Sequence, residues 1–295
     1  MDSPTATIIQ ILRERVDALL AKGDYEEAVH AATAAVEKAQ HALSSDLDSV
    51  DGFVSTLEVR GELMRKLERH EEAIDDFKQA IDLLENRPDR RLQLARITAS
   101  QGAVYDALGK EKRAFDCWEK AMQLFEDCDP PAMIDVAVMA NNLAYLKKDE
   151  GDVDAAETFY LRSLEILHNQ FGPDHEETAT LSDNLGALYL AAGYFEQARE
   201  MHMMALEART KLFGDHHPDT AQSNNNLALA LMETGDRKIA REHFEKALAG
   251  FEALGEDYRE DLEAVASNYC ELLREDGDDA GADLVESRIG GVVGA

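Results

Sequence analysis

Apolar residues recur along this chain three and four positions apart, with polar residues between them. The pattern is clearest from Thr178 to Gly214. Leu181, Leu185, Leu188 and Tyr189 form one stripe, which predicts a helix over 179–191. Thr178 or Asp174 is placed to cap it, and Gly193 to end it, because glycine accepts left-handed backbone after a helix. Phe195, Ala198, Met201, Ala205 and Leu206 form a second stripe, closed by Phe213-Gly214. Strict alternation, the mark of a half-buried strand, is missing from these segments. The chain reads as all-α, built from helix pairs.

The pair repeats. Asn142-Leu143-Ala144 returns as Asn184-Leu185-Gly186 and Asn226-Leu227-Ala228, at steps of 42 residues. Phe171-Gly172 with His175 and Thr178 returns at the same step as Phe213-Gly214 with His217 and Thr220. Ala28, Ala73, Ala114, Ala156, Ala198, Ala240 and Ala282 extend the register to both ends, so seven units fill the chain. Within a unit the first helix carries a small residue: Gly61, Gly102, Ala144, Gly186 or Ala228. The ladder alanine follows in the second helix, then a large residue (Phe77, Trp118, Tyr160, Phe244) and another small one. Small positions let two helices approach closely, and the large side chain fills the groove between them.

These spacings resemble the tetratricopeptide repeat, whose length is about 34 residues. The longer unit, Asn-Leu-Ala in the first helix and the Phe-Gly…His…Thr junction are similar to the kinesin light chain subclass, from Ala137 to about Leu254. The resemblance implies a solenoid of about seven helix pairs in a right-handed superhelix, with a concave groove where asparagines bind ligand. It also implies a stand-alone adaptor, because the family's motor-joining heptad coiled coil does not occur in this sequence. Stand-alone arrays of this type occur in bacteria, some beside tubulin-like genes, so a cytoskeletal, tubulin-like filament is one implied partner. The expected organisation is a capping repeat over 1–44, generic repeats over 45–129 and kinesin-light-chain-like repeats over 130–254. An acidic capping repeat over 255–289 and a flexible tail over 290–295 follow. Ser44–Gly52 is expected to be a polar connector. The apolar stripe of the first helix (Ile8, Ile9, Leu12, Val16, Leu19, Leu20) is expected to pack on the next repeat.

Charge narrows the partners. The chain has 60 acidic and 30 basic residues among 295, a net charge of -30. That argues against nucleic acid and anionic membranes, which draw on clustered Lys and Arg. Met1–Gln10 lacks the basic start of a signal peptide, and no stretch reaches membrane-span length. Cys117, Cys128 and Cys270 have no CxxC spacing and read as reduced thiols of a cytoplasmic protein.

Candidate chemistry is sparse. No nucleophile elbow, phosphate loop or paired-histidine zinc motif occurs. Asp215, His216, His217 and Asp219 form the densest ligand-type group, but His175 recurs in register with His217, which suits a turn or cap better than a metal. Neither enzyme activity nor a cofactor is expected. Asn142, Asn184, Asn226 and Asn268 are different. Asparagine is a mediocre helix former, yet it occupies one register of four successive first helices. At about 100° per residue it points away from the packed leucines. An amide both donates and accepts, so this ladder is the candidate peptide-binding site, and tetratricopeptide groove asparagines carry the same implication. Asn141, Tyr145, Lys148, Asp183, Gln222 and Asn225 lie beside it. With few cations there, a basic or neutral ligand fits. The leading function is a non-enzymatic adaptor for an extended peptide or partner protein. The alternative is a peptide-sensing regulator that changes superhelix shape.

Overall fold

The computed structural model describes residues 4–44 and 46–292. They form fourteen α-helices and two short 3-10 segments, with no strand among the described residues. The chain divides into two compact units, 1–146 and 147–295. The first contains α1 (Pro4–Ala21), α2 (Tyr25–His41), α3 (Leu47–Lys66), α4 (His70–Leu84), α5 (Arg91–Ala107), α6 (Glu111–Glu126) and most of α7 (Met133–Asp149). The second contains α8 (Val153–Phe171), α9 (Glu176–Ala191), α10 (Phe195–Phe213), α11 (Pro218–Glu233), α12 (Arg237–Leu254), α13 (Arg259–Glu275) and α14 (Asp279–Val292). Successive helices pack on one another from α1 to α6 in the first unit and from α8 to α14 in the second.

The small and large positions meet as their spacing requires. All seven ladder alanines are fully buried. A Cβ added at Gly61 would lie 2.6 Å from Cε1 of Phe77, and one at Gly102 would lie 2.6 Å from Cδ1 of Trp118. The aromatic ring therefore rests on bare backbone. Burying such a side chain contributes about 1.5–3 kcal/mol. Trp118 also donates its indole N–H to the Ala99 carbonyl at 3.1 Å, so the buried polar edge is satisfied.

The inter-repeat junction departs from expectation in its cap. His175, rather than Thr178 or Asp174, caps α9: its Nδ1 accepts from the Glu177 N–H at 3.3 Å. His217 caps α11 in the same way through Asp219 N–H at 3.3 Å. Each imidazole stacks on the preceding phenylalanine, Phe171 or Phe213, at a centroid distance of 4.3 Å. Stacking holds the ring where its nitrogen meets the helix start, while Thr178 and Thr220 turn inward and are buried. At the other end of α9, Gly193 has φ +81°, left-handed backbone that glycine adopts without a Cβ clash.

Two terminal expectations change. Ser44–Gly52 is not a connector throughout: Asp46 caps α3 by accepting from Ser49 N–H at 2.9 Å, so the helix begins at Leu47. Gly52 and Phe53 are buried inside it, because the stripe Phe53, Val54 and Leu57 belongs to a core. Ser45 lies outside the described residues. At the C-terminus, α14 continues through Gly290 and Gly291 to Val292, against the expected flexible tail. Ile289 packs on the core and Arg288 holds Glu252 and Glu245, which offsets the poor helix propensity of the glycines. Residues 293–295 lie outside the described residues. At the N-terminus, Val16 is buried with Val59 and Leu63 of α3, with Leu12, Leu19 and Leu20 beside it, as the stripe requires. The side chains of Ile8 and Ile9 lie outside the described residues.

Candidate functional site

The first helices of unit 2 are α9, α11 and α13, and α11 touches both others. Leu185 and Leu188, Leu227 and Leu231, and Val265 and Leu272 face the core. Asn184, Asn226 and Asn268 stand half-buried beside those stripes, as their angular position requires. Gln222 is half-buried, one turn before Asn226. Asn225 differs from expectation. It is only 5% exposed, so its amide bridges helices and does not line an open surface.

These amides are joined. Asn226 donates Nδ2 to Asp183 on α9, at 3.2 Å to Oδ1 and 3.1 Å to Oδ2. Its own Oδ1 accepts from Gln222 Nε2 at 2.8 Å and Asn225 Nδ2 at 3.4 Å. Asn225 Oδ1 accepts from Asn268 Nδ2 at 3.1 Å, which carries the row onto α13. The sequence places Asn184, Asn226 and Asn268 in one register, and the structure adds that Asn226 and Asn268 each donate to the residue one position before the register on the preceding first helix, Asp183 and Asn225.

Beneath the row lies a charged cluster. Asp183 is 9% exposed. Its Oδ1 meets His202 Nδ1 at 2.6 Å, and its Oδ2 accepts from Arg209 Nη1 at 2.9 Å. Arg209 also donates to Ser223 Oγ at 2.7 Å and Thr180 Oγ1 at 3.4 Å. Burial pushes the Asp183 carboxyl up. The His202 hydrogen bond, the His202 and Arg209 charges and the Asn226 amide outweigh it and hold it below the usual carboxylate range. An ionised carboxylate only accepts, so His202 carries a proton on Nδ1. Its Nε2 is buried without a partner.

The asparagine register reaches Asp183 only as a neighbour of the ladder, and it does not reach His202 or Arg209. A signal existed. His202 occupies the position of Tyr160 and Phe244, and Arg209 that of Leu167 and Phe251. The small residue facing His202 is Gly186, whose added Cβ would lie 2.8 Å from the ring. One helix pair thus has a charged interior where its neighbours are apolar.

The remaining predicted positions are on α7. Asn141, Asn142 and Lys148 are half-buried and Tyr145 is 49% exposed. Ile134 and Val138 are exposed on the Tyr145 side of the helix. No group of three or more His, Cys, Asp or Glu with metal-binding geometry occurs among the described residues. His217 is half-buried in its capping role. The three cysteines are free, and burial pushes the Cys117 thiol up to about 11. No helix among the described residues is long and apolar enough to cross a membrane.

A family model for the tetratricopeptide repeat matches residues 53–127, 135–211 and 193–253. No curated protein matches the sequence. Among solved structures, BtubC (BKLC) from P. vanneervenii is 25% identical with a TM-score of 0.66, covering 78% of this chain and 92% of its own. A putative kinesin light chain from Podosopora anserina, with nearly identical repeats, is 19% identical with a TM-score of 0.57, over 66% and 95%. The C-terminal part of a repeat protein from Cytophaga hutchinsonii is 13% identical with a TM-score of 0.66, over 95% of both chains. The matched repeats cover more than half of the sequence, and the chain belongs to the tetratricopeptide repeat family.

Proposed function

We propose that this protein is a non-enzymatic adaptor of the cytoplasm that binds an extended peptide or a partner protein along its first helices. The observation that carries this reading is the row of amides on α9, α11 and α13. Asn184, Gln222, Asn226 and Asn268 are half-buried on the edge of the packed stripes, where polar side chains reach both neighbouring helices and solvent. Leu229 and Met232 on α11 are only partly covered and Ala187 on α9 is exposed, which adds apolar contacts beside the amides. In the other unit, Asn141, Asn142 and Tyr145 occupy the corresponding register of α7. An extended chain has unpaired N–H and C=O groups along its length, and such side chains pair with them, at about 1 kcal/mol net per bond.

The tubulin-like filament is the narrower candidate partner. It is supported by the resemblance to kinesin light chain repeats and by the likeness to BtubC (BKLC). The test is affinity capture of partners from the source cell, then co-sedimentation with any filament protein recovered. Gln222→Ala with Asn268→Ala is expected to weaken capture by about tenfold, and Glu200→Ala, on exposed α10 surface, to leave it unchanged. Capture that ignores the double substitution removes this surface as the binding site.

A further inference from the structure

The amides of unit 2 are not independent groups. A terminal amide can turn over and exchange its oxygen and nitrogen with little change of shape. A carboxylate cannot, because it has only acceptors. Asp183 is therefore the member whose sense is fixed. Asn226 must turn Nδ2 to it. The Oδ1 of Asn226 then faces Gln222 and Asn225, which must answer with nitrogen. Asn225 accordingly shows oxygen to Asn268, which again answers with nitrogen. Each of these four amides, Asn226, Gln222, Asn225 and Asn268, directs an N–H back toward the carboxylate and its carbonyl away from it. The row ends on Gln222 Oε1 and Asn268 Oδ1, neither of which has a partner among the described residues.

Hydrogen bonds in series polarise one another in the same direction. The terminal oxygens are thereby stronger acceptors than isolated amides. Exposed acids stand near them along the helices, while the bases near Asn268, Arg274 and Arg259, are already paired with Glu286 and Glu263. Glu271 lies one turn from Asn268, Glu260 lies two turns before it, and Glu233 lies two turns from Asn226. All three are exposed, and none pairs with a base among the described residues.

We propose that Asp183, held by His202 and Arg209, fixes the sense of this row so that its accessible end offers acceptors. The ligand that fits is then an extended peptide rich in N–H donors, with lysine or arginine side chains. This names the ligand class for the surface described above and rests on that reading. It also revises the expectation that each amide pairs evenly with a donor and an acceptor. Asp183 touches no ligand in this scheme; it is a positioning residue.

The test has two parts. Side-chain amide resonances of the unliganded protein read the sense of the row directly. Asp183→Asn alone strands the Arg209 charge, so the informative variant is Asp183→Asn with His202→Phe and Arg209→Leu, the residues at equivalent positions in neighbouring repeats (Asn225, Phe244, Leu167). Slow exchange of the Asn226 Nδ2 hydrogens in the wild type, lost in this variant while helix content is unchanged, is the expected result. The second part titrates labelled, capped Gly-Lys and Gly-Glu repeat peptides of equal length. The wild type is expected to bind the basic peptide about tenfold tighter, and the triple variant to lose about half of that preference on a logarithmic scale.

An Asn226 signal unmoved in the variant overturns the role of Asp183, as does a preference for lysine that the variant keeps in full, which is net charge acting alone. Equal affinity for both peptides, abolished by Gln222→Ala with Asn268→Ala, overturns the ligand class but leaves the binding surface standing. Basic-peptide binding that ignores those two substitutions overturns the ligand class and the surface reading together.

Discussion

Asn226 on α11 donates its amide to both carboxylate oxygens of Asp183 on α9, across 43 residues of sequence. Asn268 repeats the step to Asn225, again across 43 residues. Apolar stripes are held by a non-directional force and tolerate small slides of one helix along another. A hydrogen bond at a fixed register does not. The asparagine register therefore does two things at once: it aligns neighbouring first helices and it furnishes a polar surface.

The first prediction follows from that double role. Asn226→Ala raises helix propensity, yet it removes a donor from a buried carboxylate, so it costs about 1 kcal/mol in place of leaving the fold untouched. Asp183→Asn leaves the Arg209 guanidinium, 7% exposed, without its counter-charge, and costs about 3 kcal/mol. Adding His202→Phe and Arg209→Leu recovers most of this loss. Urea unfolding of the series is the check. A triple variant no more stable than Asp183→Asn alone would refute the account of the cluster.

Ala198 is fully buried where α10 crosses its neighbours. Ala198→Leu overpacks that crossing and destabilises by about 1–3 kcal/mol. Thermal melts of the variant beside Glu200→Ala, which is exposed, separate the two sites.

Gly61 lies under the Phe77 ring, with no room for a methyl group at 2.6 Å. Gly61→Ala is expected to cost about 1–3 kcal/mol despite alanine's better helix propensity. Phe77→Leu in the same chain makes space, so the double variant should lose less than the two single losses added together. Additive losses in a double-mutant cycle would mean the two positions do not meet.

His243 donates its Nδ1–H to Asn224 Oδ1, 2.8 Å away. Burial, then the nearby Lys246 charge, lowers its pKa below the ordinary 6.5. Its neutral form is therefore favoured in the folded state. The unfolded chain takes up the proton first as pH falls, so this contribution is complete above about 6.5 and is lost as pH drops toward the folded value. Unfolding free energy measured from pH 8 to 5 should decline in the wild type. The decline should be shallower in His243→Gln, and an identical slope would show that His243 titrates alike in both states.

The repeat architecture was legible in the sequence because it depends on local periodicity. Glycine, alanine and aromatic positions recur at fixed steps, and each is confined by sterics to one place in a helix pair, as Gly61 under Phe77 shows. The half-exposed setting of Asn184, Asn226 and Asn268 was equally legible, since helix geometry alone sets their angle to the leucine stripe. The junction histidines were legible as caps through their recurrence, although the choice of His175 over Thr178 needed the ring stacking that only coordinates show. What the tertiary structure decided is which polar groups meet. Asp183, His202, Arg209 and Asn226 come from three helices, and nothing in the periodicity says that their side chains converge. The directional sense of the amide row is a further step removed. It depends on one carboxylate staying ionised at low exposure, which is a property of the packed environment and not of any residue taken alone.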